Sequence, residues 1–284
     1  MQANFLSVVL MPVALAVIMT GLGLSLTLAD FRRIFLYPKA MLIGLLCQMA
    51  LLPVICYFIA KAFQLPPEMA VGLMLLAAAP GGPSANLYSH MAKGDVALNV
   101  SLTAFNSLFS VISIAFWVNF AMVQFLAVDT YVPMQFGKVL EVCYIVILPV
   151  GVGMLIRSRY PSFSSRLEKP FKLASAIFLA TIILLAGWKE RAHLWQDAEI
   201  VGLAALLFNV ACLGLGYFIP RMFRLSKKQA IAIGMEIGIH NGSLAIYLAL
   251  NVIGNPAMTI PAVVYSIIMF LTAALFGYLV NLRP

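Results

Sequence analysis

The sequence predicts an all-α polytopic membrane protein of nine transmembrane helices, built as an inverted repeat with a broken helix in each half. Three observations carry that expectation. Of 284 residues, 63% are hydrophobic and 10% charged, against roughly 45–50% and about 25% in soluble globular domains. Apolar windows long enough to cross a bilayer, about 20 residues, recur along the whole chain with short connections. Two of those windows are interrupted near their middles.

The windows fall at 4–26, 38–62, 66–92, 95–124, 134–156, 170–188, 196–220, 226–252 and 260–281, within a single domain of 1–284. The first has no basic stretch ahead of its apolar part and is long enough to span, so it reads as a retained helix and not a cleaved signal. Fourteen of the 18 Lys and Arg residues lie in the loops after spans one, three, five and seven or at the C-terminus. This asymmetry predicts an outside N-terminus and a cytoplasmic C-terminus. The net charge of +8 follows from those loops and does not call for a nucleic-acid partner. Cys47, Cys56, Cys143 and Cys212 sit inside apolar runs with no ligand spacing, and read as small core residues.

The third window contains Pro80-Gly81-Gly82-Pro83, which cannot continue an α-helix. The eighth is interrupted more gently, by Gly238 and Asn241-Gly242. Leu65, Ala70, Gly82 and Ala85 recur 160 residues later as Leu225, Ala230, Gly242 and Ala245. Each interrupted span is the middle of a triplet, 38–124 and 196–281, and the two triplets start on opposite sides of the membrane. That pattern points to a transporter binding site.

Unwound backbone is tolerated at mid-membrane only where it is buried in protein or lines a cavity. Broken helices expose carbonyls, which suit a cation, and N–H groups, which suit an anion. The side chains near the breaks fit the cation half. Gln48 lies mid-span, Asn86 follows the PGGP break, and Asn99 and Thr103 share one helix face. Glu236 is the one acid of ten placed deep in a span. Oxygen donors around one carboxylate suit a hard monovalent cation. Plainer readings stand beside these: Asn99 and Thr103 as interhelical hydrogen bonders, Glu236 as a neutral structural acid, His240 as a donor to a nearby carbonyl. Trp117, Trp188 and Trp195 read as interfacial or packing aromatics. A lone Glu236-x-x-x-His240 pair is poor evidence for zinc.

At "APGGPSAN", "GDVALNVSLTAFNSL" and "EIGIHNGSLAIYLAL" the chain resembles the bile acid:sodium symporter family, in the bacterial nine-helix form. The resemblance implies two broken helices that cross. It also implies a core (38–62, 66–92, 95–124, 196–220, 226–252, 260–281) moving against a panel (4–26, 134–156, 170–188). It implies one sodium site from Asn86, Asn99, Thr103 and Glu236, and a second from Gln48, Glu236 and carbonyls around Ile237 and Ile239. Ala85 replaces a serine ligand of relatives, and His240, counted with the ion-site residues, stands where many members have Gln. Asn241 matches a substrate-contacting residue, and Pro83, Ser84, Gly242 and Met269 complete the candidate substrate set. Pro83 and the Met269-Phe270 pair replace polar residues of some relatives; the expected cargo is a bile-acid-like anion or a small carboxylate.

The function expected is a sodium-coupled symporter of a small organic anion, one or two sodium ions per cycle, working by alternating access. It is expected as a monomer in the lipid bilayer of the bacterial inner membrane. The alternatives are proton coupling through Glu236 and His240, or a membrane-embedded hydrolase using the same pair.

Overall fold

The computed structural model describes residues 11–126, 136–167, 170, 171, 177, 181 and 191–282. Helix α1 (Met11–Ser25) bends through 69° into the short α2 (Leu28–Arg32). The elbow is held by Asp30, whose carboxylate accepts from the Thr27 N–H and hydroxyl, each at 2.7 Å, and pairs with Arg33 at 2.6 Å.

The first triplet begins with α3 (Pro38–Leu46), which runs through a π-turn at Cys47–Leu51 into α4 (Leu52–Ala62). Pro53 gives the physical reason for the wide turn. It has no N–H to offer the carbonyl four residues back, and its ring would strike that carbonyl in a regular helix. That carbonyl belongs to Met49, and it accepts instead from the Trp117 indole N–H at 2.8 Å. The triplet continues with α5 (Pro67–Ala78), α6 (Pro83–Met91) and the long α7 (Val96–Leu126). Next come α8 (Phe136–Arg159) and the helical residues 161–167, here α9.

The second triplet repeats the plan: α10 (Arg191–Met222), α11 (Lys227–Gly238), α12 (Gly242–Tyr247) with a π-turn at Leu248–Ile253, then α13 (Ile260–Asn281). Both ends of α11 stand 160 residues after the ends of α5, the offset read from the sequence. Helices α5 and α11 stop for different reasons. The residue before Pro80 is pushed toward extended backbone, and Ala79 has ψ 143°. Pro83 then blocks rejoining, because its ring would meet the Ala79 carbonyl. In the second half, Ile239 (φ −112°, ψ 90°) leaves the helix, and the Asn241 side chain restarts it by accepting from the Leu244 N–H at 3.1 Å.

The two breaks meet. Gly81 and His240 form an antiparallel bridge, with Gly82 N–H donating to the Ile239 carbonyl at 3.2 Å and Asn241 N–H to the Pro80 carbonyl at 2.9 Å. Unwound backbone deep in the protein is thereby satisfied by its counterpart in the other half. Around this crossing, α11 packs on α6, α7 and α10, while α5 packs on α4 and α7. Separately, α1 lies along α8, where Gly23 and Gly153 bring the two backbones together.

Among the described residues, four helices are long and apolar enough to cross a membrane: Pro38–Ala62, Val96–Leu126, Glu199–Met222 and Pro256–Asn281. The bent α1–α2 pair makes up to five. Each half of a broken span is too short alone; the 12 residues of α5 rise about 18 Å against a hydrocarbon core of about 30 Å. Of the expected span 170–188, only residues 170, 171, 177 and 181 are described, so that panel helix lies outside the described residues. The side chains of Cys143, Trp188 and Trp195 lie outside them too. Cys47, Cys56 and Cys212 are free thiols in the core.

Candidate functional site

Some of the expected polar residues meet at the crossing: Thr103 bonds Glu236, and Gln48 reaches the first break. Glu236, on the last turn of α11, is fully buried. Its Oε2 accepts from the Thr103 hydroxyl at 2.6 Å and its Oε1 from the Asn106 amide at 3.0 Å. Gly81 lies directly against the carboxylate, so closely that a methyl group there would overlap it. Asn99, one turn before Thr103, donates to the Ala232 carbonyl at 2.6 Å and so fixes α7 against α11. Asn106 was absent from the sequence expectation. The signal was present: Asn99, Thr103 and Asn106 continue at i, i+4 and i+7 on one face.

Gln48 sits in the π-turn and reaches the first break, donating to the carbonyls of Ala77 and Ala79 at 3.1 and 3.0 Å. Ile237 lies in the last turn of α11, in the core, and the Ile239 carbonyl is engaged by Gly82 in the bridge. Asn86 is buried on α6, a helix packed against both α7 and α11.

His240 points elsewhere. Its Nδ1 lies 3.1 Å from the Ala79 carbonyl, and a carbonyl only accepts, so that nitrogen carries the proton. Its Nε2 is 3.9 Å from the Cys212 sulfur. The ring stacks on Phe208 at 5.8 Å and meets the edge of Tyr265 at 5.4 Å. Tyr265 and Asn209 in turn donate to the Gly238 carbonyl at 3.0 and 2.8 Å, and Thr272 holds Asn209. The histidine thus ties the second break to the first through the Ala79 carbonyl. With Gln48 it occupies both lone pairs of the Ala79 carbonyl.

The substrate candidates lie on the other side of the breaks. Pro83 and Ser84 open α6, and Gly242 opens α12 where its Cα faces Ser266 too tightly for a side chain. Met269 is buried on α13. Asn241 caps α12 with its oxygen, which also accepts from Ser243 at 2.8 Å.

Side-chain atoms without partners sort the site chemically. The buried amide oxygens of Gln48, Asn86, Asn99 and Asn106 have no donor, and the buried amide nitrogen of Asn241 has no acceptor. Unpaired polar atoms are costly in a dry interior. Orphan amide oxygens on the segments that meet at the breaks, one of them on the Asn106 that bonds the carboxylate, fit a cation that sheds its water; an orphan N–H at a helix start fits an anion. Among the described residues no three His, Cys, Asp or Glu side chains converge as for a transition metal.

The family model described as the sodium bile acid symporter family matches residues 12–197. The chain belongs to that family. A chloroplastic protein of Arabidopsis thaliana named as a probable sodium/metabolite cotransporter is 29% identical over 262 residues, 90% of this chain and 62% of its own length. A sodium-dependent transporter of Bacillus subtilis, otherwise uncharacterized, is 25% identical over 89% of this chain and 77% of its own. The human ileal sodium/bile acid cotransporter is 25% identical over 96% of this chain and 80% of its own. The chain spans about three fifths of the length of the plant relatives it matches. All three relatives are named as transporters and none as an enzyme.

Proposed function

We propose that this chain is a sodium-coupled symporter of small organic anions. One observation carries the reading: a buried carboxylate, Glu236, stands at the crossing of two broken helices with four donorless amide oxygens on the elements around it. Sodium supplies the positive charge that this carboxylate lacks, and the amide and hydroxyl oxygens replace its water shell. Gln48, Asn86, Asn99, Thr103 and Asn106 are its proposed side-chain ligands, with carbonyls near Ile237. The organic anion binds beside it, against the N–H groups that open α6 and α12 and the Asn241 amide. Names of the relatives, which speak of sodium with metabolites or bile acid, support the same pairing.

Coupling follows from the bridge. Sodium at Glu236 holds α11 against α7 and, through Gly81 and His240, holds the two breaks in register. An anion that binds the ordered break meets a smaller ordering cost. We take α1, α8 and the expected helix at 170–188 as the panel and the two triplets as the core that moves against it. The distribution of Lys and Arg supports an outside N-terminus in the plasma membrane. Proton coupling through a Glu236–His240 pair gains no support, because both imidazole nitrogens face other partners.

The test is a thermal-shift screen of the purified protein against small organic anions, run in sodium and in potassium. The reading expects at least one anion whose stabilisation requires sodium. Shifts of equal size in both salts for every binding anion overturn it.

A further inference from the structure

The polar face of α7 does not end at the site. Beyond Thr103 and Asn106 the same face carries Ser110 and Ser113, at i+7 and i+10 from Thr103, with Ser107 on its flank. A span facing lipid or an apolar core has no need of them. All are buried: Asn106 is 1% exposed, Ser107 4%, Ser110 2% and Ser113 8%. The Ser110 hydroxyl donates back to the Ser107 carbonyl at 2.9 Å, as serines in membrane helices commonly do. The hydroxyls of Ser107 and Ser113 and the Asn106 amide oxygen have no partner. The opposite face, with Ile112 and Phe116, is exposed as lipid-facing residues are.

We propose that this seam is the path by which a partly dehydrated monovalent cation reaches Glu236. The proposal rests on the sodium reading above and extends it. From Thr103 to Ser113 the helix rises about 15 Å, half the hydrocarbon core. The seam therefore connects the carboxylate with the half of the membrane where α7 ends, the outer half by the distribution of basic residues. Its spacing alternates one turn at a time, so each oxygen hands the ion to the next within a helical pitch. At its far end Trp117 ties α7 to the Met49 carbonyl in the π-turn. That same turn carries the donorless Gln48 oxygen. Both elements of this packed pair, α7 and the π-turn, thus carry donorless oxygens. Carbonyl-only helices offer no such surface, and their own hydrogen bonds consume the backbone oxygens.

The test uses silver ion, a monovalent cation near sodium in size that displaces a thiol proton and stays bound to the sulfur. In a background with Cys47, Cys56, Cys143 and Cys212 changed to Ala, three single variants are made: Ser113→Cys, Ser107→Cys and, on the lipid face, Ile112→Cys. Each is reconstituted in proteoliposomes, a sodium-dependent anion found by the thermal-shift screen is supplied outside, and ²²Na uptake is followed after silver is added outside. The path predicts that silver stops uptake at least about tenfold faster at position 113 or 107 than at 112, and that excess sodium slows the reaction at the seam positions only. Ser107→Cys serves where Ser113→Cys does not fold. Equal silver rates at all three positions, with no sodium protection, overturn the path while leaving the sodium reading intact. A background protein that melts as the native one does but carries no ²²Na with that anion present overturns both.

Discussion

Glu236→Gln separates the charge of the carboxylate from its shape. In the native site the two oxygens accept one bond each, from Thr103 and Asn106. A glutamine keeps one acceptor for Thr103 and presents N–H donors to Asn106. Asn106 can turn its amide, whose oxygen is otherwise donorless, and accept in place of donating. Both contacts survive in kind, so folding stability changes by no more than about 1 kcal/mol, the worth of one neutral hydrogen bond. The cation loses its counter-charge. At about 4 Å and an effective dielectric constant of about 20, that attraction is about 4 kcal/mol. With 1.4 kcal/mol per factor of ten, sodium affinity falls roughly a thousandfold. Equilibrium ²²Na binding to the purified variant measures the loss, and a melting curve in potassium checks the fold. The reasoning is refuted if the variant binds sodium within tenfold of the native protein. It is refuted equally if sodium binding is lost only because the protein no longer folds.

Gly81→Ala puts a methyl group into the Glu236 carboxylate; displacing that group breaks at least one bond to a charged acceptor, worth about 1.5–3 kcal/mol, so sodium affinity drops by tenfold or more in the same binding assay. His240→Gln keeps a donor for the Ala79 carbonyl but empties space between Phe208 and Tyr265. It is expected to cost about 1–2 kcal/mol of stability, a melting point lower by a few degrees, with sodium affinity within about threefold of native because the ring is not at the carboxylate. Asp30→Ala removes the cap of the elbow between α1 and α2, for which capping residues give about 1 kcal/mol. The melting point falls slightly, and ²²Na binding at equilibrium stays unchanged.

Much of the site was legible in the chain. Pro80 and Pro83 each forbid a specific helical bond, so the first break needed no tertiary information, and the recurrence at 160 residues located its counterpart. Glu236 stood out because a carboxylate deep in an apolar span requires a partner. Other features depended on contacts between distant segments. The bridge between Gly81 and His240 joins residues that lie far apart in sequence, and nothing local shows it. The direction of the His240 ring is set by Phe208, Cys212 and Tyr265 from two other helices, whereas the family pattern alone set it beside the ion. The π-turn at Gln48 had a sequence cue in Pro53, but the residues CQMAL read as ordinary helix without it. Asn106 continued a pattern already noted at Asn99 and Thr103, and only its meeting with Glu236 distinguished it from the other polar residues of α7.

The central claim, that sodium bound at the crossing drives anion transport, is tested most directly by paired flux. Protein reconstituted in proteoliposomes is given an anion identified by thermal shift, and uptake of that anion and of ²²Na is recorded under an inward sodium gradient. The account predicts that the anion accumulates above its external concentration together with ²²Na, and that Glu236→Gln abolishes both fluxes. Accumulation driven equally well by a potassium gradient, or by a proton gradient with no ²²Na entry, contradicts it.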